Sequence, residues 1–391
     1  MSRINDLIKE LCPNGVVFKK IGDVCDVFTG GETPTDLIKE KIPRDDYVYP
    51  IYSNGVGDNA LYGYSKTYRI EEDAVTFSSI GTLGHPEIRK GKFTPIIRLK
   101  VLVPKNLNKL CIGYLKYALE TAEFENNKSS LPNLNANMLK NIIIPIPPLE
   151  VQEEIVRILD KFGELEAELE AELEARKNQY EFWRGELFKR NKVQQFRLDE
   201  LFNLKNGFTP SKSNDNFWTN GTIPWFRMED IRANGRVLND AIQHVTIGAT
   251  KGNIMPENSI IVSTSATIGE HALLTCKSLS NQRFTYLILK DQYKDIVDMK
   301  YIFYHCFLLD EYCLNNLNQG NFASIDMNAF KKYNFSIPSM DKQKKIVNIL
   351  DKFDKLVNDI TEGIPAEIEL RSQQYEYYRN KLLSFEEFKN E

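Results

Sequence analysis

Apolar side chains recur at intervals of three and four along residues 147–190, and the same letters return further down the chain. Ile155, Ile158, Phe162, Leu165 and Leu169 lay one stripe along a helix whose other faces carry Glu and Lys. Three Glu-Leu-Glu-Ala units follow between Glu164 and Ala175, all strong helix formers. Leu165, Leu169 and Leu173 step by four, so this part of the stripe drifts by roughly 40° per step and a partner helix must wind with it. Tyr180, Trp183 and Leu187 then resume the shorter spacing. No stretch approaches the run of about 20 apolar residues that a membrane span needs.

Ile146-Pro147, Gln152, Ile155-Val156, Ile158-Leu159-Asp160-Lys161-Phe162 and Leu165 reappear 191 places later, as Ile337-Pro338, Gln343, Ile346-Val347, Ile349-Leu350-Asp351-Lys352-Phe353 and Leu356. Gln179-Tyr180-Glu181, Arg184 and Leu187 return as Gln374-Tyr375-Glu376, Arg379 and Leu382, now 195 places on. The second copy thus carries four extra residues. It also contains Pro365, which cannot donate to the Thr361 carbonyl, so a kink or break is expected there.

The segments ahead of the helices repeat more faintly. Thr29-Gly30 resembles Asn206-Gly207, and Ser78 to Gly84 echoes Thr264 to Gly269. Val75 to Ser79, Thr94 to Val103, Ile260 to Ser263 and Phe284 to Leu289 read as strands, and Cys111 to Phe124 and Met299 to Tyr312 as helices. The fold expected is α+β: two α/β heads, each followed by a long helix, with the helices paired as an antiparallel coiled coil about a pseudo-twofold axis. The boundaries are a head at 1–146, a helix at 147–190, a second head at 191–337 and a second helix at 338–391. The same stripes also suit a dimerisation stalk, in which they pack between molecules.

A net charge of −4 argues at first against a nucleic-acid partner, but the helical segments hold the excess acid: 8 basic against 12 acidic residues over 148–194, and 9 against 11 over 341–391. The heads are near neutral, so a basic face is possible where acids lie opposite. Six cysteines without a Cys-x-x-Cys pair and four isolated histidines indicate neither disulfides nor zinc. Met1 to Leu11 lacks an apolar signal region, and a cytoplasmic chain is expected.

Basic, aromatic, amide and hydroxyl residues interleave in the loops of both heads. Such residues suit DNA, since Arg, Lys, Asn and Gln read base edges while Ser, Thr and Tyr hold phosphates. The candidates in the first head are Ser53, Asn54, Tyr64, Lys66, Arg69, Ser79, Arg89, Lys90 and Lys92. Those in the second are Lys212, Trp225, Arg227, Arg232, Arg236, Thr264, Asn281 and Arg283. Catalytic signatures are missing from the sequence. The sole Pro-Pro, Pro147-Pro148, lacks the flanks of a base-gripping methyltransferase tetrapeptide, and there is no phosphate-binding G-x-x-x-x-G-K-[ST] loop.

The junctions Ile144 to Leu149 with Gln152 and Ile155, and Phe335 to Pro338 with Gln343 and Ile346, resemble the specificity subunits of type I restriction-modification systems. So do the arms Ala171 to Arg184 and Gly363 to Leu383, and the opening Leu11-Cys12-Pro13-Asn14-Gly15-Val16. The resemblance covers essentially the whole chain. It implies a non-catalytic subunit whose heads each read half of a split, asymmetric site in double-stranded DNA. The helices would set the spacer and bind two methyltransferase subunits that modify adenine, with motor/endonuclease subunits joining through the complex. No cofactor is expected on this chain; S-adenosylmethionine, ATP and Mg belong to the partners. The competing reading is a coiled-coil scaffold whose heads bind protein.

Overall fold

The computed structural model describes residues 2–78, 86–122, 135–189, 193–318, 323–359 and 361–388. The chain divides into two compact units, Met1–Glu170 with Glu367–Glu391, and Ala171–Ala366. Each unit contains one head and a segment of each helical arm. The first arm is a single helix, Leu149–Lys189, which gives its first half to one unit and its second half to the other.

The second arm is two helices, Met340–Asn358 and Ile364–Leu383, so the kink or break expected near Pro365 is a break. Pro365 explains the interruption, which falls where the second copy has its extra residues. The Asp359 carboxylate accepts the amides of Thr361 at 2.7 Å and Glu362 at 3.2 Å, so it caps the new start. Gly363 is required here because a Cβ would lie 2.5 Å from the Asp359 carbonyl oxygen.

The first head holds two four-stranded sheets. One is ordered Cys25–Thr29, Lys100–Pro104, Ala74–Phe77, Pro86–Arg89; the other Leu37–Ile38, Leu61–Ser65, Tyr49–Tyr52, Thr94–Pro95. The second head has a five-stranded sheet ordered Phe202–Asn206, Phe284–Leu289, Ser259–Ser263, His271–Leu274, Val237–Leu238. Its smaller sheet is ordered His244–Val245, Ile223–Phe226, Leu279–Ser280. In the second-named sheet of each head one pair is parallel, Ile51 with Thr94 and Trp225 with Leu279. Most elements lie where apolar and β-branched runs place them. Thr94 to Val103 differs, because residues 96–99 interrupt it with a turn.

Helices Ile112–Glu120 and Met299–Leu314 fix each head to its arm. Gln152 is fully buried; its amide nitrogen donates to the carbonyls of Lys109 (2.8 Å) and Pro147 (2.7 Å), and its oxygen accepts the Cys111 amide at 2.8 Å. Gln343 repeats the pattern with Ile296 (2.7 Å), Pro338 (2.8 Å) and the Asp298 amide (2.9 Å). The Tyr117 hydroxyl donates to Asp160 and the Tyr304 hydroxyl to Asp351, both at 2.6 Å. Burial makes these bonds obligatory, because an amide or hydroxyl left unpaired there would lose its solvation without return.

Within each unit the two arms also meet. Phe162 stacks on Tyr378 at 5.5 Å in the first, and Tyr180 on Phe353 at 6.1 Å in the second. In the first unit the tail after the last helix pairs with the start of the head, where the Val16 amide donates to the Glu386 carbonyl at 2.9 Å and the Phe388 amide to Val16 at 2.8 Å. No helix among the described residues is long and apolar enough to cross a membrane.

Candidate nucleic-acid interface

In each head one antiparallel ladder runs from the arm joint to a tip. The first extends from Cys25 opposite Pro104 to Thr29 opposite Lys100. The second extends from Phe202 opposite Leu289 to Asn206 opposite Thr285. Beyond each ladder the loops gather around a glycine that no other residue could replace. A Cβ on Gly30 would stand 2.8 Å from the Ile96 carbonyl oxygen, and one on Gly207 would stand 2.1 Å from that of Asn281. Both glycines, matched in the two copies of the sequence, are thus points of close backbone approach.

At the first tip the Gly30 amide donates to Leu99 at 2.7 Å, the side-chain amide of Asn54 donates to the Ile97 carbonyl, and the Ser78 hydroxyl donates to the Asn54 carbonyl at 3.1 Å. Ser53 stands alongside, its amide on Ala60 at 2.8 Å. The Arg69 guanidinium lies over Gly31, where an added Cβ would be 2.5 Å from Nη1. Lys100 reaches the Thr29 hydroxyl at 3.2 Å, and its ammonium pKa is lowered by burial and then by the neighbouring charge of Arg98. Ser53, Asn54 and Arg69 therefore converge. Ile97, Arg98 and Lys100 join them and were not singled out from sequence.

The other first-head candidates lie elsewhere. Tyr64 and Lys66 are at the opposite end of their strand, with Lys66 paired to Asp46 at 3.4 Å and 4.8 Å from the centre of the Tyr47 ring. Lys90 and Lys92 follow the end of Pro86–Arg89 remote from the tip, with Lys92 bound to Glu71 at 3.0 Å. Arg89 points inward, ion-paired to Glu87 and 4.1 Å from the centre of the Tyr52 ring, which removes it from the candidate surface. Ser79, like Gly81 to Gly84, lies outside the described residues.

At the second tip the Thr264 amide donates to the Arg283 carbonyl at 2.9 Å, and the Arg283 amide donates to the Asn281 side chain at 3.0 Å. The Asn281 amide in turn donates to Phe226 at 3.0 Å, so Arg227 borders the same loop. Thr209 donates to Gln282 at 2.5 Å and is a further member that sequence reading passed over. Arg283 is exposed; Arg227 is partly buried, its guanidinium 5.7 Å from the centre of the Trp225 ring. Lys212 and Arg232 are exposed, on the loop after Phe208 and on helix Met228–Asn234.

Two second-head candidates are corrected by their surroundings. Trp225 is 3% exposed, and its indole N–H donates to the Phe208 carbonyl at 3.1 Å, so it is a core residue. Arg236 is partly exposed, but its guanidinium is already held by Asp310 at 3.2 Å and the His271 carbonyl at 3.3 Å. Tip membership is a matter of strand ends. Residue type alone finds basic and aromatic side chains wherever they stand.

A repeated head on a repeated arm, with polar loops at the free end of each head, defines a two-headed recognition protein. The family model for the type I restriction modification DNA specificity domain matches residues 13–175 and 190–370. The chain is 33% identical over 409 residues to the EcoR124I/EcoR124II specificity subunit of Escherichia coli, covering 98% of both. It is 50% identical over 203 residues to the EcoprrI specificity subunit of Escherichia coli, a match spanning about half of each chain. Among solved structures, a chain from work on complex assembly and conformational transition of the type I R-M system aligns at TM-score 0.61 with 16% identity, covering 95% of this chain and 98% of that one. The HsdS subunit of Thermoanaerobacter tengcongensis aligns at TM-score 0.54 with 14% identity, covering 95% and 97%. The chain belongs to the type I restriction-modification DNA specificity family: it is a specificity subunit with two target recognition domains, and recognition rather than catalysis is its work.

Proposed function

We propose that the two tips read the two halves of one asymmetric DNA site, each tip acting independently. The arms then set the length of the unread spacer and dock two methyltransferase subunits, which methylate adenine with S-adenosylmethionine; motor/endonuclease subunits with ATP and Mg join through that complex. The observation that carries this reading is the contrast within each head, where matched buried bonds fix the arm end and dissimilar polar loops occupy the other. A binder of one symmetric target would repeat its tips as closely as its joints.

Exchange of residues 195–335 for the second head of another specificity subunit tests the reading, in complex with the methyltransferase and with modified sites mapped across a genome. One half of the site should change and the other should persist. A change in both halves would overturn independent readout. Arg283→Ala should relax the same half alone, by about 1 to 3 kcal/mol of discrimination if its guanidinium meets a base edge. The spacer is tested separately by removing one Glu-Leu-Glu-Ala unit, Glu168 to Ala171, which shortens a helix by about 6 Å. Both half-site sequences should persist with a spacer one or two base pairs shorter, and an unchanged spacer would leave the arms as a platform only.

A further inference from the structure

Residues 96–99 read Ile-Ile-Arg-Leu and sit between two strands, yet they form a turn. Ile97 (φ 50°) and Arg98 (φ 60°) occupy the left-handed region in succession. L-residues avoid it because Cβ crowds the following carbonyl, and a β-branched residue suffers most. Burial does not compensate, since Ile97 is half exposed and Arg98 is exposed.

The turn is clamped from beneath instead. The Ile97 amide donates to the Gly31 carbonyl at 3.0 Å, the Arg98 amide to Gly30 at 3.1 Å and the Leu99 amide to Ile96 at 3.1 Å. Asn54 grips the Ile97 carbonyl from the side. Glycine or asparagine at position 97 would satisfy the same backbone with less strain. The isoleucine is therefore unexplained by folding; it is half exposed, next in the chain to the exposed Arg98, and its amide is bonded to Gly31, over which the Arg69 guanidinium lies. The corresponding loop of the second head, Asn281 to Arg283, is wholly polar and has no positive φ. Strain of this kind concentrates where a side chain must be presented.

Resting on the DNA-reading role proposed above, we propose that the Ile97–Arg98 turn is the base-contacting element of the first head. Ile97 packs on the C5-methyl of a thymine in the major groove, and Arg98 and Arg69 bracket it on a base edge and the phosphates. Ile97 is thus a specificity-determining residue for one T·A pair in one half-site.

The test uses the chain assembled with its methyltransferase. Ile97→Gly should keep or raise the thermal midpoint, because glycine accepts the left-handed backbone. It should also relax one T·A position of the first half-site and leave the second half intact. Replacing that thymine by uracil in an oligonucleotide deletes the methyl alone. The wild type should then lose roughly fourfold or more in binding, the weight of one buried methyl, while the Ile97→Gly protein should be indifferent. The inference is overturned if Ile97→Gly leaves the first half-site unchanged, or if uracil is tolerated by the wild type at every thymine of that half. Either result with the second-head exchange still redirecting its own half would remove only the turn and leave independent readout standing.

Discussion

Gln152 and Gln343 make the same three hydrogen bonds in the two units, and Tyr117 and Tyr304 make the same bond to matched aspartates. One helical turn away the likeness ends. At the position of Glu120, which accepts the Tyr375 hydroxyl at 2.8 Å and faces Arg379 at 3.7 Å, the second unit has Phe307, and the Arg184 guanidinium lies 3.7 Å from the centre of its ring. At the position of Ala118 it has a buried histidine, His305. At the tips, a strained Ile-Arg turn stands against an unstrained Asn-Gln-Arg loop. Two copies of one plan thus differ in proportion to how much surrounding geometry each residue must satisfy. A buried amide with three fixed partners has no alternative, an ion pair can become a cation–π contact, and an exposed loop has only its target to satisfy.

The matched joints give the largest expected effects. Gln152→Leu removes from a fully buried position the one side chain that serves two carbonyls and an amide, and Gln343→Leu does the same in its own unit. Each should cost about 3 kcal/mol or more, and hydrogen exchange should show the loss in the unit that carries the change. A large cost in one unit and none in the other would show that the joints are alike only in outline.

The buried histidine predicts an asymmetry in acid. His305 is packed among Phe188, Tyr301, Tyr333 and Phe335, and burial pushes its pKa down to about 4. Unfolding returns it to the usual value near 6.5, so between those limits the unfolded chain binds the extra proton and stability falls as pH falls. The stabilising effect is complete above about pH 6.5 and is lost on the way down to about 4. The second unit should lose up to about 3 kcal/mol across that window, and the first, with Ala118, should lack this contribution. His305→Ala should abolish the step even though it lowers stability at neutral pH. A wild-type unit with the same acid profile as its His305→Ala variant would refute the assignment.

What was legible in the sequence follows the same gradient. The spacing of Ile155, Phe162 and Leu165 was enough for a 41-residue helix, and Pro365 was enough for the break in its counterpart, because both are local. The repeated glutamines were visible as letters, but their role was not, since their partners at Lys109 and Ile296 lie some 45 residues earlier in the chain. The division of each arm between the two units was equally hidden, as stripe periodicity says that a helix has a partner and not which one. The turn that joins Ser53, Asn54 and Arg69 at the first tip is hidden for a different reason. Ile96 to Leu99 carries strand-forming letters, and only the clamp from Gly30, Gly31 and Asn54 overrides them. Arg89, Arg236 and Trp225 are selected by residue type; Glu87, two residues away on the same strand, already offers Arg89 a partner, whereas Asp310 and Phe208, which engage Arg236 and Trp225, lie 74 and 17 residues off in the chain.

The smallest expected effect separates the two kinds of arm contact. Glu120→Gln keeps the shape in the first unit but replaces a carboxylate facing Arg379 and Tyr375 with a neutral amide, and should cost about 1 kcal/mol. Phe307→Leu in the second unit removes the ring beneath Arg184, and should cost a similar amount through lost cation–π attraction and packing. Salt distinguishes them. Glu120 and Arg379 are both partly exposed, so added salt screens their attraction, and the Glu120→Gln penalty should shrink as ionic strength rises toward 1 M. The Arg184–Phe307 contact joins a charge to a ring rather than to an opposite charge, so the Phe307→Leu penalty should hold nearly constant over the same range. Measuring both penalties by denaturant unfolding at low and high salt gives four numbers, and parallel salt dependence would mean that the two clamps are held by packing alone.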